Sequence, residues 1–315
     1  MEISCREAAR RLREANKLII TAHINPDGDA LGSALGLQEL LRIQGKEVLV
    51  LIDDELPKNF AFLPGYDTVQ QPKQSHYEAD LLVVLDASLD RIGSVRDKCS
   101  APVLNIDHHI SNDGLADWLY LDAKAAATAE LVYRLGREFA VPFSLAIAEP
   151  LYTGLATDCG FFRYANTTAF TLRTAADLLE LGVQPHIISE ELEKKSYALV
   201  KGRLKALETM ALFAGGRIGG IFIDQETSAA LETTEGLIDS VRIIDSVDVA
   251  VMIKCVEEKL CRVSMRSKTT DVSKIAMAFH GGGHIRAAGC TIHAALPQAQ
   301  ETILAAIVAA MEEQK

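Results

Sequence analysis

Histidine and aspartate gather at four places in this chain, and imidazole with carboxylate is a donor set suited to divalent cations. The first place is His23-Ile24-Asn25-Pro26-Asp27-Gly28-Asp29. The second is Asp86, directly after the apolar run Leu81-Leu82-Val83-Val84-Leu85. The third is Asp107-His108-His109, directly after Pro102-Val103-Leu104-Asn105-Ile106. The fourth is Asp158, within Ala156-Thr157-Asp158-Cys159-Gly160. Taken singly, each has an ordinary structural explanation. Asp29, for example, reads as the N-cap of the helix that follows it. Brought to one edge, these five aspartates and three histidines would repel one another unless cations bound among them. That many donors exceeds one ion and points to two. No cysteine stands at matching positions, so the set suits Mn²⁺ or another first-row divalent ion better than a thiolate-bound metal. Two such ions side by side fit phosphate ester hydrolysis, because they activate water and neutralise phosphoryl charge.

The elements around these residues explain why they would meet. Strands are expected over 17–21, 47–52, 81–85 and 102–106, all apolar and without polar alternation. Helical spacing fills the interval 30–43, and Gly45 ends it. Buried strands separated by helices predict an α/β fold with a parallel sheet and helices on both faces. In open α/β sheets, sites form outside the carboxyl ends of the strands. Three of the four groups directly follow a strand. Helices are expected over 125–139, 145–157, 169–181 and 197–212. A catalytic domain is therefore expected over 1–190, a linker helix over 191–213 and a smaller α/β domain over 214–315. The latter would hold strands over 217–223, 249–256, 260–266 and 288–293, with helices over 272–279 and 298–313. Gly281-Gly282-Gly283 reads as a flexible break.

Composition narrows the function. The formal net charge is −11, which does not suit a broad duplex-binding surface. No apolar run approaches the roughly 18 residues that span a bilayer. The N-terminus shows no secretory h-region, so a cytoplasmic enzyme is expected. The six cysteines include no C-x-x-C pair and are read as reduced thiols. Cys159 reads as a small buried residue rather than a nucleophile. In the second domain, alternation over 260–268 puts Arg262, Ser264, Arg266 and Lys268 on one strand face. Gly282 and Gly283 permit close approach of a ligand, and His284 follows them. These residues suit a pocket for a phosphate and a base.

The pattern His23-x-x-Pro26-Asp27-x-Asp29-Ala30-x-Gly32-Ser33, then Asp86, Asp107-His108-His109 and Asp158, resembles the DHH phosphoesterase superfamily. Within it the chain is similar to the nanoRNase and pAp phosphatase group, which carries a DHHA1 domain. That similarity rests on Gly281-Gly282-Gly283-His284-x-x-Ala287-Ala288-Gly289, Arg262-Val263-Ser264-Met265-Arg266-Ser267 and Thr157-Asp158-x-Gly160-x-Phe162-Arg163-Tyr164-x-Asn166-Thr167. The resemblance implies metal ligands at His23, Asp27, Asp29, Asp86, His108 and Asp158, with Asp86 shared by two Mn²⁺ ions. It implies that Asp107 orients the loop and that His109 sits near the phosphate as a substrate contact or proton donor. Arg163, Asn166, Arg262, Ser264, Arg266, Gly282, Gly283 and His284 would bind substrate, in a cleft between the domains.

The implied activity is hydrolysis of short RNA oligonucleotides to mononucleotides, from the 5′ end. Removal of the 3′-phosphate from 3′-phosphoadenosine 5′-phosphate (pAp) accompanies it. The implied partners are such oligonucleotides and small phosphorylated nucleotides, with no duplex nucleic acid and no membrane; a homodimer is compatible with them. The alternatives are a phosphodiesterase for cyclic di-AMP or its linear product pApA, and a nucleotide-binding regulator without catalysis. An inorganic pyrophosphatase shares the first-domain motifs but needs a differently equipped second domain. One departure stands out: the group has a further glycine where this chain has His280. It is read as a tolerated replacement.

Overall fold

Apolar strands need cover on both faces, and five of them meet here in one parallel sheet. The computed structural model describes residues 1–231, 233–234 and 236–313, and the chain forms two units, Met1–Lys194 and Lys195–Lys315. The first unit contains α1 (Cys5–Glu14), β1 (Lys17–Thr21), α2 (Gly28–Arg42), β2 (Glu47–Val50), β3 (Leu81–Leu85) and α3 (Val95–Lys98). It continues with β4 (Val103–Asp107), β5 (Trp118–Leu121), α4 (Thr128–Phe139), α5 (Leu145–Asp158), α6 (Ala169–Glu180) and α7 (Pro185–Glu193).

The strand order is β2-β1-β3-β4-β5, with every pairing parallel. Leu18, Ile20, Val83 and Leu85 pack on the face covered by α1, α2, α4 and α5. Ile19, Leu82 and Val84 turn to the other face, toward Val95 of α3. The chain steps from β1 out to β2, then back past β1 to β3. That reversal opens a crevice at the carboxyl ends of β1 and β3. The α/β fold expected from the sequence is the one observed. Strand β5 is an addition: Trp118-Leu119-Tyr120-Leu121 is short and follows a polar loop, so its signal is weak.

Helix α2 packs closely on α5, and its glycines explain how. A Cβ at Gly28 would collide with the Thr157 side chain, and one at Gly32 with the Pro150 carbonyl. Without them, backbone meets backbone. The consequence reaches the site, because α2 carries Asp29 in its first turn and α5 ends on Asp158.

The second unit contains α8 (Tyr197–Glu208), β6 (Ala211–Phe213), β7 (Ile218–Ile223), α9 (Gln225–Ala230), α10 (Leu237–Arg242) and β8 (Val249–Glu257). It ends with β9 (Leu260–Ser267), α11 (Val272–Ala278), β10 (Gly282–His284), β11 (Ala287–Ile292) and α12 (Leu296–Glu313). Its mixed sheet has the order β10-β11-β9-β8-β7-β6. One face packs against α11 and α12. The other is covered by α8, α9 and α10 over β7 and β8.

Three local expectations are corrected. The interval 191–213 is not one helix: it holds the end of α7, then α8, then β6. Ala211–Phe213 is drawn out of the helix by antiparallel pairing with β7. The glycine run is not a flexible break, because Gly282–His284 pairs with β11 as an edge strand. Gly281 allows this approach, since a Cβ there would collide with the Gly289 carbonyl. The six thiols are not all reduced: Cys255 stands opposite Cys261 across the β8–β9 turn and the two form a disulfide. Cys5, Cys99, Cys159 and Cys290 are free.

Candidate metal centre

The switch point collects the expected residues. His23 follows β1, Asp86 follows β3, and Asp107 ends β4 with His108 and His109 behind it. Asp29 comes from α2 and Asp158 from α5. Asp27, not Asp29, caps α2, accepting from the Asp29 and Ala30 N–H groups at 3.0 Å each. Asp86 takes a left-handed backbone conformation (φ 58°), uncommon for a non-glycine residue.

The two histidines present the same atom to the cluster. His23 Nδ1 lies 2.8 Å from the Ile24 carbonyl, and His108 Nδ1 lies 3.2 Å from the Ala125 carbonyl. A carbonyl can only accept, so Nδ1 carries the proton and Nε2 offers its lone pair. His23 Nε2 stands 3.7 Å from Asp27 Oδ2 and 3.6 Å from Asp86 Oδ2. His108 Nε2 stands 3.5 Å from Asp86 Oδ1, 3.7 Å from Asp158 Oδ2 and 3.9 Å from Asp29 Oδ2. These separations are too long for hydrogen bonds. They suit donors around a shared cation, since two donors about 2.1 Å from one small ion stand about 3 to 4 Å apart. Two donor groups result, His23–Asp27–Asp86 and Asp29–His108–Asp158, each with ligand atoms within 4.8 Å of one another. Asp86 turns one oxygen to each histidine. Asp86, His108 and His109 form a third, overlapping group. The donors are oxygen and imidazole only, which fits a small divalent ion.

Electrostatics agree with a cluster built for added positive charge. Asp29 is 1% exposed. Burial, then Asp86 and Asp158, hold its pKa well above the usual carboxylate range. Burial raises Asp158 as well, with Asp86 adding to it. Burial opposes the charging of His23, but the neighbouring Asp27 and Asp86 carboxylates outweigh it and push the imidazole up to about 10. At His23 a proton therefore occupies a position that a metal could take.

A supporting shell holds these groups, and part of it escaped the sequence reading. Asp107 Oδ1 accepts from His109 N at 3.0 Å and from His109 Nδ1 at 2.8 Å. That bond, against burial, raises the His109 pKa. Asp107 Oδ2 accepts from Asn112 Nδ2 at 2.6 Å, and the same amide reaches Asn105 Oδ1 at 2.7 Å. Asn105 in turn donates to the Val84 and Ala87 carbonyls, pinning the turn that carries Asp86. Thr128 opens α4, where the first N–H groups lack helical partners. Its N–H and that of Ala129 donate to Asp29 at 2.6 and 2.9 Å, and its hydroxyl donates to Asp86 Oδ1 at 3.0 Å. A threonine at a helix start reads as an ordinary terminus, which hid it.

Two expected substrate contacts lie beside this centre. Arg163 is exposed, and its Nε donates to the Gly160 carbonyl at 2.8 Å. Asn166 Nδ2 donates to the carbonyls of Ala126 and Asp158 at 3.0 and 3.2 Å. Those bonds tie the Asp158 turn to α4 and leave the amide donors of Asn166 committed. Cys159 is fully buried, and burial pushes its thiol up to about 12, which suits packing and not nucleophilic attack.

In the second unit the expected residues divide. Arg262 and Ser264 line a cavity of about 510 Å³. Arg266 stands opposite Ala287 on β11, and His284 stands opposite the same residue from β10. Gly282 and Gly283 form the exposed edge beside it. Arg266, Gly282, Gly283 and His284 do not line that cavity.

Comparison with known proteins agrees with this architecture. Residues 17–155 match the DHH family, N-terminal domain, and residues 221–313 match the DHHA1 domain. A bifunctional oligoribonuclease and PAP phosphatase from Thermus thermophilus is 35% identical over 295 residues, covering 92% of this chain and 89% of the relative. One of the same description from Bacillus subtilis is 29% identical, covering 91% and 93%. A crystal structure of an exopolyphosphatase-related protein from Bacteroides fragilis superposes with a TM-score of 0.86 at 24% identity, covering 98% of this chain and 95% of that one. That likeness speaks to the fold. With both domain models matched in order and a relative of this identity along nearly its whole length, the chain belongs to the DHH family of phosphoesterases that carry a DHHA1 domain.

Proposed function

We propose that this chain is a manganese-dependent phosphoesterase that hydrolyses short RNA oligonucleotides to mononucleotides and converts pAp to AMP. The observation that carries the reading is the shared carboxylate: Asp86 lies between two imidazole–carboxylate groups. The two relatives described as oligoribonuclease and PAP phosphatase supply the substrate class. His23, Asp27 and Asp86 would hold one ion, and Asp29, Asp86, His108 and Asp158 the other. Their hard and borderline donors favour Mn²⁺. Such ions supply an activated water and charge neutralisation at the phosphoryl oxygens.

The chain's own groups do the rest. Asp107 holds His109 by Nδ1 and favours its protonated form, so Nε2–H is free to donate to a phosphoryl or leaving oxygen. Arg163 adds an exposed cation for the substrate phosphate. In the second unit, Arg262, Ser264, Arg266 and His284 would hold the nucleotide, and Gly282 and Gly283 would let it approach the backbone. A few local cations suffice for such short ligands, which reconciles nucleotide chemistry with a net charge of −11. A cytoplasmic location would fit such substrates.

The test is direct. Purified protein with Mn²⁺ is given a diribonucleotide, pAp, pApA, cyclic di-AMP and duplex RNA. The reading expects mononucleotides from the first, AMP from the second and an intact duplex. A diribonucleotide and pAp that both stay intact would overturn it.

A further inference from the structure

The cavity in the second unit carries more than the residues expected there. Besides Arg262 and Ser264, it is lined by His280, Gly281, Thr291 and His293, and among the described residues no carboxylate lines it. Strand register builds it: Thr291 stands opposite Arg262, and Gly289 opposite Ser264. Alternation along the end of β11 leaves Thr291 and His293 exposed while Ile292 is buried. On the far side of β9, Lys254 of β8 stands opposite Arg262. Arg262 has no ion-pair partner among the described residues, so its charge is uncompensated there.

His280 is the unexpected member. It follows α11 with a left-handed backbone (φ 56°), the conformation that glycine takes without penalty after a helix. A bulky side chain stands at a position where glycine fits the backbone better. His280 lines a cavity that already holds a guanidinium, a second imidazole and two hydroxyls. Such a set of donors with no acid among them matches a phosphomonoester, which carries more charge and more acceptor oxygens than a diester.

We propose that His280 and His293 join Arg262 in a subsite for a terminal phosphate, making the enzyme select substrates with a free phosphomonoester end. This rests on the proposed nucleotide phosphoesterase activity. It assigns His280 a specificity role in place of the neutral replacement expected from the sequence.

Two measurements test it separately. The first is the ratio of kcat/KM for pApA over ApA, two dinucleotides that differ only in the 5′-phosphate. The wild type should favour pApA, and His280→Gly, which relieves the backbone, should lower the ratio about tenfold, the value of one charge-assisted hydrogen bond. His293→Ala should act in the same direction. A ratio unchanged in both variants overturns the subsite. The second is nuclear magnetic resonance of the histidine rings during titration with AMP and, separately, adenosine. The His280 and His293 resonances should move with AMP and stay in place with adenosine. Equal responses to both, or none to AMP, overturn the subsite whether or not either dinucleotide is cleaved. If neither dinucleotide nor pAp is cleaved while AMP shifts the rings, the activity falls and the subsite stands.

Discussion

The Thr128 hydroxyl donates to Asp86 Oδ1 at 3.0 Å while the Thr128 N–H donates to Asp29 Oδ2 at 2.6 Å. One residue at the start of α4 thus fixes a carboxylate from each half of the cluster. Thr128→Val keeps the shape and the backbone bond but removes the hydroxyl. Mn²⁺ affinity should fall about 10- to 100-fold, the usual cost of losing a partner behind a ligand. Thr128→Ser should recover most of it. Calorimetric titration of both variants checks this; equal affinity of Thr128→Val and wild type would contradict it.

Metal binding should release protons. Without metal, His23 titrates near 10, and Asp29 and Asp158 are raised by burial and by neighbouring carboxylates. His23 therefore holds a proton near neutral pH that a bound ion must displace, so affinity rises with pH. Titrations in two buffers of different ionisation enthalpy should show net proton release. No release at neutral pH would mean that the cluster is not charged in this way.

The α2–α5 contact should be intolerant of a single methyl group. At Gly32 an added Cβ meets the Pro150 carbonyl, which is backbone and cannot swing aside. Gly32→Ala should cost about 1–3 kcal/mol by overpacking. It should also weaken Mn²⁺ binding, because separating the helices moves Asp29 from Asp158. A denaturation midpoint and a metal titration on the same variant check both effects. Unchanged stability would show that the helices separate freely.

Much of this was legible because the chemistry sits at strand ends. His23, Asp86 and Asp107 each follow an apolar run, and a parallel sheet aligns such ends by construction. The groups behind them were not legible. Thr128 meets Asp29 across 99 residues and Asn166 meets Ala126 across 40, and nothing local marks those partners. Asn166, a substrate contact by the resemblance, also donates its amide to the Ala126 and Asp158 carbonyls, which no local pattern marks. The glycine run misled in a related way. Gly281 and its neighbours read as flexibility, whereas they permit an edge strand to pack closely on β11. The Cys255–Cys261 pairing depends on the register of a hairpin, which spacing alone does not give.

The central claim is that Asp86 is shared by the two halves of one metal centre that performs the hydrolysis. Turnover of a diribonucleotide in Mn²⁺ by Asp86→Ala, beside the wild type, tests it most directly. The account predicts wild-type turnover abolished by a chelator, and a loss of about a thousandfold or more in the variant, whose fold remains intact by circular dichroism. An Asp86→Ala protein that turned over at the wild-type rate would contradict it.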